Sequence, residues 1–284
     1  MTPLRVILGF LVLWPVVGFL LSRVLRRNDL ADLLWGSGIA VLVGAVGLPT
    51  IQEWEAWQRA LVTLVLLWGL RLSVFLSFRN LPEPEDSRYA AWRKQWGKKE
   101  PLYAFFQVFG LQAVLAVGVA LPALLKVVRP ETALVSLGAG GQRVDLFFVF
   151  VAAAGLVIET VADAQLFIFR RRRHADRAAK KGEHPVLRSG LWAWSRHPNY
   201  FGETLFWWGI TGIGFFGLPW MLQLGSLLGA ALITFLLLRV SGVPMTEKGM
   251  GQRRGEEYRR YLAETSTFWL IPPCVYRYWK RPRE

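Results

Sequence analysis

A single cysteine, Cys274, rules out an internal disulfide framework, and three histidines beside it are a poor basis for a structural zinc site. Charge is scarce as well: 19% of the 284 residues are Asp, Glu, Lys or Arg, below what a soluble surface carries, against 53% apolar residues. Acid is scarcer still, with 20 Asp and Glu against 34 Lys and Arg, giving a net charge of +14. A basic balance can mark nucleic-acid binding, but in a chain this apolar the cations belong beside anionic lipid. Neither a nucleic acid nor a metal is therefore expected as a partner. Internal repeats and low-complexity segments are also missing. What remains is a chain rich in Trp and in long apolar runs, the composition of a membrane protein whose first partner is the lipid bilayer.

Seven apolar stretches are long enough to cross about 30 Å of hydrocarbon as helices. They fall near residues 4–25, 33–51, 60–78, 103–128, 146–169, 200–218 and 220–240. The first lacks a basic leader and a small-residue cleavage site, and Arg26 and Arg27 follow it, so it is expected to be retained. Assigning connections to alternate sides puts 28 Lys and Arg on one side and 5 on the other, with Arg71 inside the third span. The positive-inside rule then places the N-terminus outside and the C-terminal tail in the cytoplasm. The expectation is an all-α polytopic membrane protein with seven transmembrane helices, forming a single integral-membrane domain over residues 1–284.

An ionisable residue inside a span costs roughly 2.5–3.5 kcal/mol on insertion scales and needs a reason. The fifth span carries Glu159 and Asp163, four residues apart and so on one helix face, with Gln165 nearby and Arg170 closing the helix. Either this face is a structural patch paired with Arg71, or it lines a cavity that water reaches.

The densest polar segment is G-L-W-A-W-S-R-H-P-N-Y-F-G-E, residues 190–203. Pro198 suits the first turn of a helix, so a span is expected to begin there, with Arg196 and His197 beside free N–H groups that can hold phosphate. Asn199 and Glu203 stand at i, i+4 and share a face, and Gly202 between them permits close approach. In the tail, S-G-V-P-M-T-E-K (241–248), G-E-E-Y-R-R-Y (255–261) and T-S-T-F-W-L-I-P-P (265–273) read alone as a solvated or headgroup-lying helix face. The run G-I-G-F-F-G (212–217) matches a dinucleotide fingerprint literally, yet no strand precedes it. Its small residues, like Gly225 and Gly229, point instead to helix–helix contact.

Together, these segments resemble a bacterial branch of the steroid 5α-reductase-like membrane proteins, related to the sterol double-bond reductases. The resemblance is strongest from about Gly155 to Pro273; W-G-L-R-L-S (68–73) and P-E-D-S-R-Y (84–89) look like the same branch's first cytoplasmic connection. It implies a seven-helix, NADPH-dependent reductase of a lipid or steroid-like conjugated C=C bond, in the bacterial inner membrane, with the cofactor held by the C-terminal half. Matched residue by residue, Asp163, Arg170, Asn199 and Glu203 fall on cofactor-contacting positions, with Arg196, His197, Tyr200 and Tyr258 as further candidates. Family members take their acid from a Gln-Glu pair in the second span and a Tyr in the third. Here Gln52-Glu53 is a counterpart to the pair, but the third-span position holds Phe75, so Glu53 alone, or Tyr89 from the following loop, is expected to act as catalytic acid.

A rival resemblance exists. Isoprenylcysteine and phospholipid N-methyltransferases share an R-H-P-x-Y-x-G entrance and a Glu followed by a G-x-x-Y-x-x-Y tail, which Glu247 and residues 255–261 would serve. That resemblance implies S-adenosylmethionine, a cation better served by carboxylates than by arginines. A non-catalytic lipid-binding protein is the third reading, with no feature of its own in the sequence.

Overall fold

The computed structural model describes residues 2–128, 138–176 and 186–279. These are helical almost throughout, and the one β-type pairing among them is an isolated bridge between Ser195 and Ser266. In chain order the helices are α1 Pro3–Leu25, α2 Leu30–Gly47, α3 Ala56–Asn80, α4 Ser87–Trp96, α5 Glu100–Tyr103, α6 Leu111–Val127, α7 Gly138–Asp176, α8 Pro198–Gly212, α9 Trp220–Phe235, α10 Val243–Glu264 and α11 Pro273–Trp279. A 3₁₀ turn, Leu48–Glu53, extends α2, and π-helical turns, Ala104–Gly110 and Leu236–Val240, lead into α6 and out of α9.

Six helical stretches are long and apolar enough to cross a membrane: Pro3–Leu25, Leu30–Gln52, Ala56–Asn80, Ser87–Val127, Arg143–Arg172 and Trp220–Lys248. The chain is a multi-pass membrane protein. Of the seven spans expected, the one over 200–218 contains α8, whose 15 residues cover about 22 Å, short of the hydrocarbon thickness. It ends early because Gly214 turns the backbone at φ 67°, a conformation that costs glycine little. The run 212–217 closes the helix and also makes the helix contact expected of it: Gly212 of α8 packs on Phe148 of α7, and Gly214 makes the turn. Gly225 and Gly229 do mediate helix contact, against Leu125 and Pro122 of α6.

Backbone contacts divide the chain into two compact units, Met1–Val149 with Ile210–Ala230, and Phe150–Gly209 with Ala231–Glu284. In the first unit α2 is the buried element, packed against α1, α3 and α6, with Ile39, Leu42 and Val43 almost fully enclosed. On α1, Leu4, Leu8, Val12, Leu20 and Val24 are more than half exposed, while Phe10, Pro15, Gly18 and Ser22 turn inward. An apolar outer stripe at i, i+4 spacing fits a helix whose solvent is lipid.

In the second unit α7 and α8 cross closely. A Cβ on Gly202 would lie 2.5 Å from the Glu159 amide nitrogen and 2.8 Å from the Gly155 carbonyl, so only glycine allows this approach. The tail folds back on the segment before α8: Tyr258 and Tyr261 of α10 are buried with Val186 in a small core of their own. The expectation of a solvated or headgroup-lying tail is corrected for this face of α10. Its tyrosines recur at i, i+3 and fill a protein core.

Candidate functional site

Pro198 opens α8 as its spacing predicts, and the preceding segment is pinned before the helix begins. Gly190, at φ 61°, lies against the Gln165 side chain, whose Oε1 accepts the Leu191 N–H at 3.1 Å. The Trp192 indole donates to the Ala162 carbonyl at 3.0 Å. Ser195 donates its hydroxyl to the Phe268 carbonyl at 2.8 Å and accepts the His197 N–H at 3.1 Å. These bonds bring the first turn of α8 against the face of α7 that carries the acidic pair.

There Asn199 donates through Nδ2 to Asp163 Oδ1 at 3.2 Å. Asn199 Oδ1 is buried and has no hydrogen-bond partner among the described residues. Asp163, Glu159 and Glu203 are all buried, at 3%, 2% and 8% exposure. The three carboxyl groups have interactions of their own, so the acceptor left unanswered among these four residues is the Asn199 side-chain oxygen. Arg170 is exposed on α7, seven residues beyond Asp163 and about 10 Å along the same face.

Arg196, two residues before α8, holds the tail. It is 8% exposed, and its guanidinium is committed to the tail: Nε to Glu247 Oε1 at 2.9 Å, Nη1 to the Leu262 and Thr265 carbonyls at 2.9 and 3.0 Å, Nη2 to Thr267 Oγ1 at 2.7 Å. Four of its five N–H groups are thus satisfied internally, which leaves little for a cofactor phosphate. His197 Nε2 also meets Glu247 Oε1, at 3.2 Å, and its ring stacks on Tyr200 with centroids 5.2 Å apart. Tyr200 in turn shares a hydrogen bond with Thr246 Oγ1 at 3.2 Å. Burial pushes the His197 pKa below its ordinary value; the bond to Glu247 opposes that shift. Tyr258 is 3% exposed and tilted against Tyr261, as part of the tail's core.

The two candidate acids lie in the first unit, at opposite ends of the α2 rod. Glu53 closes the 3₁₀ turn after α2; its side chain lies outside the described residues. Tyr89 is buried at 4% exposure and donates its hydroxyl to Asp32 Oδ1, in the first turn of α2, at 2.6 Å. About 20 helical residues separate the two, on the order of 30 Å, so they cannot serve one reacting carbon together. Asp32 Oδ1 also accepts from Gln112 Nε2 at 3.2 Å, and Oδ2 from Arg88 Nη2 at 3.1 Å.

Sequence reasoning missed Asp32, and it missed Lys126, which the count of basic residues by side assigned to the connection after the fourth stretch. Lys126 is fully buried, and its ammonium donates to the Ile210 and Thr211 carbonyls at 2.8 and 2.6 Å. It thereby caps the C-terminus of α8, donating to carbonyls in the last turn that have no partner within the helix. An ionisable residue within the fourth apolar stretch was the signal available for it.

Fold and composition thus define an all-helical, multi-pass membrane protein with a polar face between α7 and α8. Residues 18–265 match the family described as "Protein of unknown function (DUF1295)", and the chain belongs to that family. No curated protein matches the chain. No solved structure matches it either.

Proposed function

We propose that the protein is a membrane-embedded NADPH-dependent reductase acting on a conjugated C=C bond of a lipid or steroid-like substrate, of the kind found in steroid 5α-reductase-like proteins. The observation that carries this reading is Asn199. Its amide nitrogen is fixed by Asp163 while its buried Oδ1 has no donor among the described residues. A carboxamide N–H₂, such as that of nicotinamide, is a donor of the right kind for that oxygen. NADPH, when bound, would supply a hydride. Asn199 would orient its carboxamide, Asp163 and Glu203 would accept from its hydroxyl and amide groups, and exposed Arg170 would face its phosphates. Tyr200 and His197, stacked beside the first turn of α8, would close the wall of the site. The proton that completes the reduction would come from Glu53 or from Tyr89; the Tyr89 proton is directed at Asp32 and would have to be released from it.

The same reading takes α8 with its following turn as a seventh crossing, the N-terminus outside, and the tail in the cytoplasm of a bacterial inner membrane. Reporter fusions after Val240 and within 130–143 test it, with cytoplasmic signal expected at the first and periplasmic signal at the second.

One observation favours a second reading. Three buried carboxyl groups on the α7–α8 face, with Arg196 turned to the tail, suit a cation such as S-adenosylmethionine. Cofactor titration of the purified protein separates the two. NADPH should raise the melting temperature by mass action, with preference over NADH. Asn199→Ala and Glu203→Gln should each weaken binding about 5- to 150-fold, the loss of one hydrogen bond to a desolvated ligand. Phe75→Ala should leave affinity unchanged. Wild-type affinity in both site variants would sink the assignment, and a shift with S-adenosylmethionine alone would replace it with methyl transfer.

A further inference from the structure

A second polar recess lies in the same unit, away from the α7–α8 face. It is a cleft of about 140 Å³ lined by Arg188, Ala193, Glu264, Thr265, Pro273 and Arg277. Its two guanidinium groups differ. Arg188 pairs with Glu264 through Nη2 and lies over the Tyr261 ring, 5.9 Å from the centroid. Arg277 is exposed, makes no ion pair among the described residues, and donates only its Nε, at 3.3 Å, to the Pro273 carbonyl one turn back. Two cations against one carboxylate leave the lining with one net positive charge. Four Arg277 N–H donors have no partner among the described residues.

What surrounds the cleft sets its depth. Trp194, next to Ala193, is 44% exposed, and its carbonyl accepts the Ile271 N–H at 3.2 Å. Trp269 is 63% exposed; Tyr278 and Trp279, which follow Arg277, are 74% and 67% exposed. Trp194, Tyr278 and Trp279 are within two residues of lining residues in sequence, and with Trp269 they are four exposed amphipathic rings that would be a liability in water. At a membrane–water interface they are in their preferred place, level with the headgroups. At that depth the anion a guanidinium meets is a lipid phosphate, which it can hold by charge-assisted hydrogen bonds.

We propose that this cleft binds the phosphate of an anionic phospholipid headgroup, with Arg277 as the principal donor, Arg188 as its neighbour, and Trp194, Trp269, Tyr278 and Trp279 as the collar that holds the recess at headgroup level. The site is independent of the cofactor proposal, since it shares no residue with it.

Native mass spectrometry of the detergent-released full chain tests this, with phosphatidylglycerol, phosphatidylcholine and inorganic phosphate as probes. The wild-type protein should retain phosphatidylglycerol over phosphatidylcholine, and millimolar phosphate should not displace it. Arg277→Gln should lower phosphatidylglycerol affinity about tenfold, as expected for a lost ionic hydrogen bond. Arg277→Lys, which keeps the charge but loses the fork, should fall in between. Undiminished retention in Arg277→Gln overturns the proposal, and so does displacement by free phosphate, which would make the cleft a site for a soluble anion. Should Arg277→Gln fail to fold, the wild-type protein still decides, because equal retention of the two lipids overturns the proposal on its own.

Discussion

Asp32 in the first unit and Asn199 in the second stand at comparable places, each in the first turn of a helix that begins at a polar segment. Their oxygens are treated differently. Asp32 accepts from Tyr89, Gln112 and Arg88. Around it Arg23 grips Glu100 in a two-point fork at 2.6 and 2.9 Å, and Arg27 grips Asp29 in the same way at 2.7 Å on both arms. Asn199 Oδ1 is buried with no donor among the described residues. A filled acceptor holds structure, whereas a buried empty one costs the fold about 1–3 kcal/mol unless something else supplies the hydrogen. By this difference the α7–α8 face is where the proposed function seats its ligand, and the polar end of the first unit is a clamp.

The contrast is sharpest where a residue of the second unit behaves like those of the first. Arg196 is a clamp placed beside the site, so Arg196→Gln should damage the fold more than the cofactor affinity. It leaves Glu247 and the Leu262 and Thr265 carbonyls short of donors. A loss of about 3 kcal/mol is expected, seen as a lower melting temperature and as protease cleavage of the released tail. If the variant keeps its melting temperature and loses cofactor binding, Arg196 belongs with Asn199 and the comparison fails.

Lys126→Met tests the first unit in the same terms. The substitution keeps the volume but removes the donor to the last carbonyls of α8, at an expected cost of about 1–3 kcal/mol in thermal unfolding. A neutral outcome would mean that the cap is dispensable and that α8 ends through Gly214 alone.

The smallest effect concerns pH. Burial depresses the His197 pKa, so just below its ordinary value, near pH 6.5, the unfolded chain binds a proton that the folded chain does not. Its contribution to stability is therefore complete above that value and is lost as pH falls through the window. Melting curves from pH 7.5 to 5 should show the loss, with a shallower slope in His197→Gln. Equal slopes would show that the bond to Glu247 fully offsets burial.

Much of the candidate site was legible in advance. The helix start at Pro198, the i, i+4 pairs Glu159–Asp163 and Asn199–Glu203, and the need for glycine at 202 are local properties of the chain. The partners of Arg196 were not legible, because an arginine beside a helix N-terminus reads the same whether its partner is a phosphate or a carbonyl. The shortfall of α8 was hidden because hydropathy counts apolar residues through a turn as readily as through a helix.

Hydrophobicity, spacing and charge asymmetry are short-range quantities, and by themselves they determined that this is a helical membrane protein with a polar segment at 190–203. The choice of partners was left to tertiary structure. Tyr89 finds Asp32 across 57 residues, Arg196 finds Glu247 across 51, and Lys126 finds the Ile210 carbonyl across 84. Which donor meets which acceptor over such separations depends on how helices pack, because in a low-dielectric interior each polar group must be answered by whatever the fold brings within about 3 Å.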